Sequence, residues 1–175
     1  MDLMASFRSR KVNTFHFFSV YGILGDTGLV FLFDTGAACP VIGINNFFYE
    51  NIDLNERSVL EKLLKDELLK QAIMPRPVPL KAANNQPVTT YPCVCHHVSI
   101  ENTAKRDFYF DISFDDISIP LLGSSFIDDC AYSHAINGNL NITGMKPRAG
   151  AGYYADRHVL DFDKVAEKFA ISAKY

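Results

Sequence analysis

An apolar run that ends in a single carboxylate on a glycine turn sets the tightest limit on how this chain folds. Residues 31–37 read Phe-Leu-Phe-Asp-Thr-Gly-Ala. The apolar residues before Asp34 predict a buried strand, and Gly36 allows the backbone to turn sharply directly after it. We therefore expect Asp34 to leave the end of a strand at the floor of a cleft.

The carboxylate of Asp34 has no matching partner elsewhere in the sequence. Acid–base chemistry at such a turn usually needs a second carboxylate nearby, so that one is protonated while the other is ionised. No second Asp-Thr-Gly or Asp-Ser-Gly occurs among the 175 residues. If Asp34 is catalytic, we expect its partner to come from another copy of the chain.

Composition and charge indicate one globular domain and exclude some classes of partner. The chain has 175 residues, of which 48% are hydrophobic and 21% charged, which is ordinary for such a domain. Its net charge of −3 gives no electrostatic reason to expect nucleic acid as a partner. No apolar run reaches the roughly 18 residues of a membrane-spanning helix, so no membrane partner is predicted.

The N-terminus and the cysteines favour a cytoplasmic location. The N-terminus lacks the basic start, apolar middle and small-residue cleavage site of a signal peptide. The cysteines are too sparse for the disulfide framework of a small secreted domain. We predict that all four are free thiols: Cys39, Cys93, Cys95 and Cys130.

Two segments have the periodicity of amphipathic helices. Over residues 55–73, apolar side chains recur at helical spacing and charged side chains fill the other positions. Asn55 is the predicted N-cap and Pro75 the stop. A second helix is predicted over residues 161–173, capped by Asp161. Its apolar face consists of Phe162, Val165 and Phe169.

Most of the remaining chain alternates short strands with turn residues. Strands are predicted over residues 13–20, 29–33, 78–81, 88–98, 108–114, 117–122 and 136–142, and a short helix over residues 126–132. Asn84-Asn85 suits the tip of a hairpin, because asparagine tolerates left-handed conformations. A mainly β domain with helical insertions is therefore expected.

The order of three features resembles that of the retropepsin-like aspartic proteases, the single-domain relatives of pepsin. An apolar strand ends in Asp34-Thr35-Gly36-Ala37, a hairpin follows, and Leu121-Leu122-Gly123 then leads into a short helix. The resemblance covers about residues 13–142. It implies a closed β-barrel of the acid protease fold.

The resemblance also implies how the chain is organised. A single domain over residues 1–175 carries a helical insertion at about residues 55–73 and a C-terminal extension at about residues 143–175. The helix of the insertion is expected to cover the barrel, with a partner-binding surface as the alternative.

Site residues carry over from the family one by one. Asp34 matches the catalytic aspartate, and the residues that support its loop are Thr35, Gly36 and Ala37. Among these, Thr35 matches the residue whose hydroxyl joins the two active-site loops across the dimer. The element that crosses under this loop is matched by Leu121, Leu122 and Gly123. The flap, a hairpin that closes over bound peptide, is matched by a tip without the glycines usual in the family: Ala83, Asn84, Asn85 and Gln86.

The implied activity is that of an aspartic endopeptidase that acts on peptide or protein substrates as a homodimer. Two Asp34 carboxylates about 3 Å apart would share one proton, because both cannot ionise comfortably. The ionised carboxylate acts as general base on a water molecule, and the protonated one donates to the scissile carbonyl oxygen. No metal and no cofactor are predicted, and acidic to mildly acidic pH favours the reaction.

Several alternatives stay open. A catalytically silent module of the same fold could serve in dimerisation or peptide binding. A small zinc-binding β-domain could form from Cys93, Cys95 and His97 on one strand face, or from Cys130 and His134 at helical spacing, although Cys-x-Cys is unusual for structural zinc.

Cys39 offers another alternative, a thiol nucleophile with His96 or His97 as its base. The spacing of these residues matches no cysteine-protease signature. The acidic pairs Asp115-Asp116 and Asp128-Asp129 are interpreted as solvated caps at the ends of elements.

Overall fold

The computed structural model describes residues 19–24, 27–48, 54–76, 80–81, 87–101, 103–134 and 140–173. The strands in these ranges are β1 (Ser19–Leu24), β2 (Thr27–Leu32), β3 (Val41–Gly43), β4 (Leu80–Lys81), β5 (Pro87–Val88), β6 (Thr90–Ile100), β7 (Arg106–Ser113), β8 (Cys130–His134), β9 (Leu140–Met145) and β10 (Leu160–Asp161). The helices are α1 (Leu54–Lys70), α2 (Ser124–Ile127) and α3 (Phe162–Ala173), with 3-10 turns at Ile44–Phe47 and Ala151–Tyr154. The described chain is rich in sheet with some helix. None of its described helices combines the length and apolar character needed to cross a bilayer.

One large sheet organises the fold. Its strands lie in the order β2-β1-β6-β7-β3, and β10 pairs in parallel with β6. Strands β6 and β7 are antiparallel, and Phe108, Phe110 and Ile112 alternate onto a fully buried face of β7. Strand β3 pairs in parallel with β7. Strand β3, which follows the Asp34 loop, is therefore paired with a strand whose side chains form part of the core.

The closed β-barrel implied by the resemblance is not found among the described residues. In the order of paired strands β2 and β3 are the two ends of the large sheet, and β4–β5 and β8–β9 form two separate sheets. Residues 117–122, predicted as a strand, form only isolated bridges, from Leu121 to Leu32 and to Val41. Pro120 has no N–H to donate, which interrupts a ladder where a closing strand would run.

Helix α1 lies close to the predicted segment. Its buried apolar face includes three of the predicted leucines, Leu60, Leu64 and Leu68. The helix already begins at Leu54, so the prediction that Asn55 is its N-cap is wrong. Burial of the leucine face sets the position of this helix more strongly than the local capping preference does.

The end of α1 is set by the backbone before the proline is reached. The helix stops at Lys70, whereas Pro75 was the predicted stop. Ala72 has a φ of 54°, and the N–H of Ile73 donates to the Leu68 carbonyl at 2.9 Å. This left-handed closing turn satisfies the last carbonyls of the helix, so the chain leaves it early.

Helix α3 confirms its prediction. Phe162, Val165 and Phe169 are buried on one face, and Asp161 caps the helix through Oδ1, which accepts the Asp163 N–H at 3.1 Å. The ring of Phe162 meets that of Phe110 edge to face, with centroids 5.7 Å apart. Helix α3 therefore contributes directly to the core of the sheet.

The region after α2 differs from its prediction. The helix predicted over residues 126–132 ends at Ile127, and Cys130 begins strand β8, which pairs with β9. Asp129 accepts the Gly150 N–H at 2.9 Å through Oδ2 and the Lys146 N–H at 2.9 Å through its carbonyl oxygen, so the chain after Ile127 bonds to a distant segment instead of continuing the helix. The predicted strand 136–142 overlaps only the start of β9. Residues 135–139 lie outside the described residues, as do residues 13–18 of the first predicted strand.

Candidate active site

Asp34 lies just after β2 in a tight turn. Its Oδ1 accepts the Gly36 N–H at 2.8 Å, and its carbonyl oxygen accepts the Ala37 N–H at 3.3 Å. A Cβ atom on residue 36 would lie 3.1 Å from Oδ1 of Asp34, so a glycine there leaves room for this bond. The carboxylate is half-buried, whereas Thr35 and Gly36 are exposed. The loop therefore presents Asp34 at the surface of a single chain.

Residues 120–125 insert between the two strands that this loop connects. The N–H of Leu122 donates to the Leu32 carbonyl at 2.9 Å. On the other side, Leu121 exchanges two hydrogen bonds with Val41, at 2.9 and 3.0 Å. The inserted segment thus separates the two ends of the loop and holds each end through backbone hydrogen bonds.

Gly123 makes this close crossing possible. It has a φ of 77°, and a Cβ atom there would lie 2.2 Å from the carbonyl carbon of Cys39. The next residue, Ser124, donates its N–H to the Ala37 carbonyl at 2.8 Å. Only glycine fits both the backbone angle and the space, so the crossing depends on this residue.

The predicted flap is described only at its base. Leu80 lies opposite Val88, and Lys81 opposite Pro87, in the antiparallel pair β4–β5. The tip residues Ala83, Asn84, Asn85 and Gln86 lie outside the described residues. Their role as a flap, like that of Thr35 in joining two loops across a dimer, stays a prediction.

A buried ion pair lies close to the loop. Asp111 is fully buried on β7, and Arg76 is 6% exposed. The guanidinium of Arg76 donates to both carboxylate oxygens of Asp111, at 2.8 and 2.5 Å. The hydroxyl groups of Thr90 and Tyr154 donate to the same carboxylate, at 2.6 and 2.7 Å. This set satisfies the charge of Asp111, which would otherwise be costly to bury.

Cys39 connects this ion pair to the loop. Its Sγ accepts a hydrogen bond from Arg76 at 3.5 Å, and the N–H of Asp111 donates to the carbonyl of the next residue, Pro40, at 2.8 Å. Burial, together with the charge of Asp111, raises the pKa of the Cys39 thiol to about 12. A thiol that stays protonated near neutral pH is a poor nucleophile, which counts against the cysteine-nucleophile interpretation.

The zinc sites considered from the sequence do not form. The pairing of β6 with β7 shifts register between Cys95 and Val98, and His97 there has a φ of 60° and is exposed. Cys95 is buried, so it does not share a face with His97. Cys130 and His134 lie on a strand instead of a helix, about 13 Å apart along an extended chain. All four cysteines are free, as predicted.

The residues of the buried ion pair were missed by the sequence analysis. A signal was present at Asp111, since a charged residue between Phe110 and Ile112 in an apolar alternation needs a partner. The partner itself had no local signature. Arg76 and Tyr154 lie 35 and 43 residues away in the chain, so only the tertiary fold brings them together.

Comparisons with known proteins give a distant structural likeness. No protein-family model matches the chain, and no curated protein matches its sequence. Among solved structures, the chain is similar to a retropepsin-like aspartic protease from Rickettsia conorii, with 15% identity and a TM-score of 0.44. The match covers 74% of this chain and 92% of that one. A likeness at this level carries no argument about activity.

Proposed function

We propose that this protein is an aspartic endopeptidase whose active site forms from two Asp34 carboxylates, one from each subunit of a homodimer. The observation that carries the proposal is the loop geometry. A half-buried carboxylate follows a strand on a glycine turn, and residues 120–125 support that turn from below. The single chain supplies one such carboxylate, so a two-fold dimer is needed to bring two together.

The proposed reaction uses the two carboxylates as acid and base. The ionised Asp34 removes a proton from water, whose oxygen attacks the scissile carbonyl carbon, while the protonated Asp34 donates its proton to the carbonyl oxygen. The tetrahedral intermediate collapses when the C–N bond breaks: the leaving nitrogen takes the proton from the Asp34 that had deprotonated the water, and one hydroxyl of the intermediate returns its proton to the other Asp34. The products are a carboxylic acid and an amine, and no covalent enzyme adduct forms.

Substrate binding in this proposal uses the hairpin β4–β5. Its tip, Ala83 to Gln86, closes over an extended peptide, whose backbone pairs with the protein as an added strand would. Thr35 of each subunit joins the two Asp34 loops at the dimer axis. Both roles follow from the resemblance described above.

Digestion of a peptide library at pH 4 to 7 tests the proposal. Wild-type protein should cleave peptides, Asp34→Asn should not, and Asp156→Asn should cleave like wild type because Asp156 is exposed outside the loop. Sedimentation should give a dimer, at least with a peptidomimetic inhibitor bound.

Equal, negligible cleavage by wild type and Asp34→Asn would overturn the enzyme assignment. A wild type that dimerises or binds peptides without cleavage would favour the silent module, for which the glycine-free tip Asn84-Asn85 is the motivating feature.

A further inference from the structure

The register shift in β6 places a histidine beside the start of α3. His96 lies at the bulge between Cys95 and Val98, where its ring is partly exposed. Strand β10 runs parallel to β6, with Asp161 opposite Val94, and α3 begins directly after it. Residues that are far apart in the chain therefore meet at this edge of the sheet.

Three potential metal-ligand atoms, one imidazole nitrogen and two carboxylate oxygens, lie close together there. One ligand atom each from His96, Asp161 and Asp163 lies within 4.8 Å of the other two. The Nε2 atom of His96 is 3.9 Å from Oδ1 of Asp161, too long for a direct hydrogen bond. Two carboxylates and an imidazole nitrogen thus surround a space in which one coordinated ion fits.

The histidine is already oriented for binding through Nε2. Its other nitrogen, Nδ1, is 2.7 Å from Oδ1 of Asp107 on β7. Metal-binding histidines typically bond their second nitrogen to a carboxylate in this way, which fixes the ring and its tautomer. Asp107 would therefore act as an outer partner that leaves Nε2 available.

Asp163 is held in place by two further bonds. Its Oδ2 accepts the His96 N–H at 3.0 Å, and its Oδ1 accepts from the Cys95 thiol at 3.1 Å. Asp161 caps the same helix turn. Because backbone groups of β6 and α3 fix both acids relative to the histidine, the three donors need little rearrangement to close on an ion.

We propose that His96, Asp161 and Asp163 bind a divalent transition-metal ion, with Zn²⁺ as the best match. Zinc takes imidazole and carboxylate ligands at about 2.0–2.2 Å and is usually four-coordinate, so a water molecule would complete the set. The cluster holds three carboxylates, including Asp107, against one imidazole, and a dication offsets that charge. The ion would join β6 to α3, on elements separate from the Asp34 loop.

Zinc titration of the full chain tests the proposal. Protein stripped with a chelator is titrated with ZnCl₂ by calorimetry, and Co²⁺ absorption reports the ligand geometry. Wild type should bind one Zn²⁺ per chain and unfold at a higher temperature with Zn²⁺ present. Absence of one-to-one binding by wild type overturns the proposal.

Matched variants locate the ion. His96→Ala should weaken Zn²⁺ binding at least tenfold, and Asp107→Asn by about 10- to 100-fold as an outer partner. The control His97→Ala, at the neighbouring exposed histidine, should bind like wild type. His96→Gln serves if His96→Ala fails to fold by circular dichroism. Equal weakening in the His96 and His97 variants, or none in either, overturns the assignment.

Discussion

Asp34 lies in the loop between β2 and β3, and Asp111 lies next to that loop on β7. The environments of their two carboxylates are opposite in burial and in hydrogen bonding. The carboxylate of Asp111 is fully buried and accepts four hydrogen bonds, from Arg76, Thr90 and Tyr154. The carboxylate of Asp34 is half-buried and, within the described part of the chain, accepts only the Gly36 N–H. A carboxylate whose oxygens are all occupied stabilises the fold, whereas one with oxygens left over can bind water or a proton. Burial and partners, more than residue type, therefore distinguish a structural acid from a candidate catalytic one.

The largest expected effect separates activity from stability at Asp34. Asp34→Asn should lower peptide cleavage by roughly 10³-fold or more, because it removes the acid–base group. Its free energy of unfolding should change by less than about 1 kcal/mol, since the side chain is partly exposed. Urea unfolding and initial cleavage rates check both values. A large loss of stability would show that Asp34 resembles Asp111 in its role.

Asp111→Asn should show the reverse behaviour. The change leaves the nearly buried guanidinium of Arg76 without its counter-charge, which costs about 3–5 kcal/mol of stability. Urea unfolding measures the loss, and Asp156→Asn, at an exposed site, is the control with little expected change. A stability equal to wild type would mean that the ion pair contributes nothing to the fold.

Gly123→Ala tests the support of the Asp34 loop. The new Cβ atom would meet the backbone of Cys39 in a conformation that L-residues avoid, at a cost of about 3 kcal/mol. Cleavage should fall as well, because the loop must shift. The control Gly152→Ala meets nothing within 4 Å and should change stability little. If the two variants unfold alike, residues 120–125 do not constrain the loop.

A smaller effect is expected from one hydroxyl of the buried set. Tyr154→Phe removes the bond to Oδ1 of Asp111 and keeps the ring, for a loss of about 1.5 kcal/mol. Tyr109→Phe, on the ring stacked against Tyr154, is the matched control. Thermal and urea unfolding distinguish them. A loss equal to that of Asp111→Asn would indicate that Tyr154 has a larger role than a single hydrogen bond.

The smallest effect concerns Glu67, a nearly buried acid with an exposed partner. Its hydrogen bonds with Lys168 and Gln71 lower the pKa of Glu67 from its usual value. A lowered folded-state pKa adds stability above the unfolded-state value, which is lost as pH falls through the folded-state value. Glu67→Gln should therefore be less stable than wild type at pH 7, by under about 1 kcal/mol, and urea unfolding should show this difference shrinking as the pH falls through the folded-state pKa of Glu67. A difference that does not shrink on acidification would exclude this ion pair as its cause.

Local patterns predicted the elements whose signal lies within a short stretch of sequence. The leucine stripe of α1 and the apolar face of α3 follow from helical periodicity, and the turn after β2 follows from Gly36. The helix expected over residues 126–132 ends at Ile127, and Asp129 bonds instead to Lys146 and Gly150, contacts that local sequence does not encode. The ion pair of Asp111 was missed for the same reason. Where long-range hydrogen bonds decide the conformation, the sequence indicates a need for a partner without identifying it.

The insertion of residues 120–125 between β2 and β3 also bears on when the Asp34 loop is formed during folding. The loop ends bond to Leu121 and Leu122, which are synthesised much later than Asp34. Contacts between segments so distant in the chain form slowly, because loop closure must precede them. We expect a nascent or truncated chain that lacks these residues to leave Asp34 on an unsupported turn. Assembly of the site is thereby delayed until most of the chain has been made.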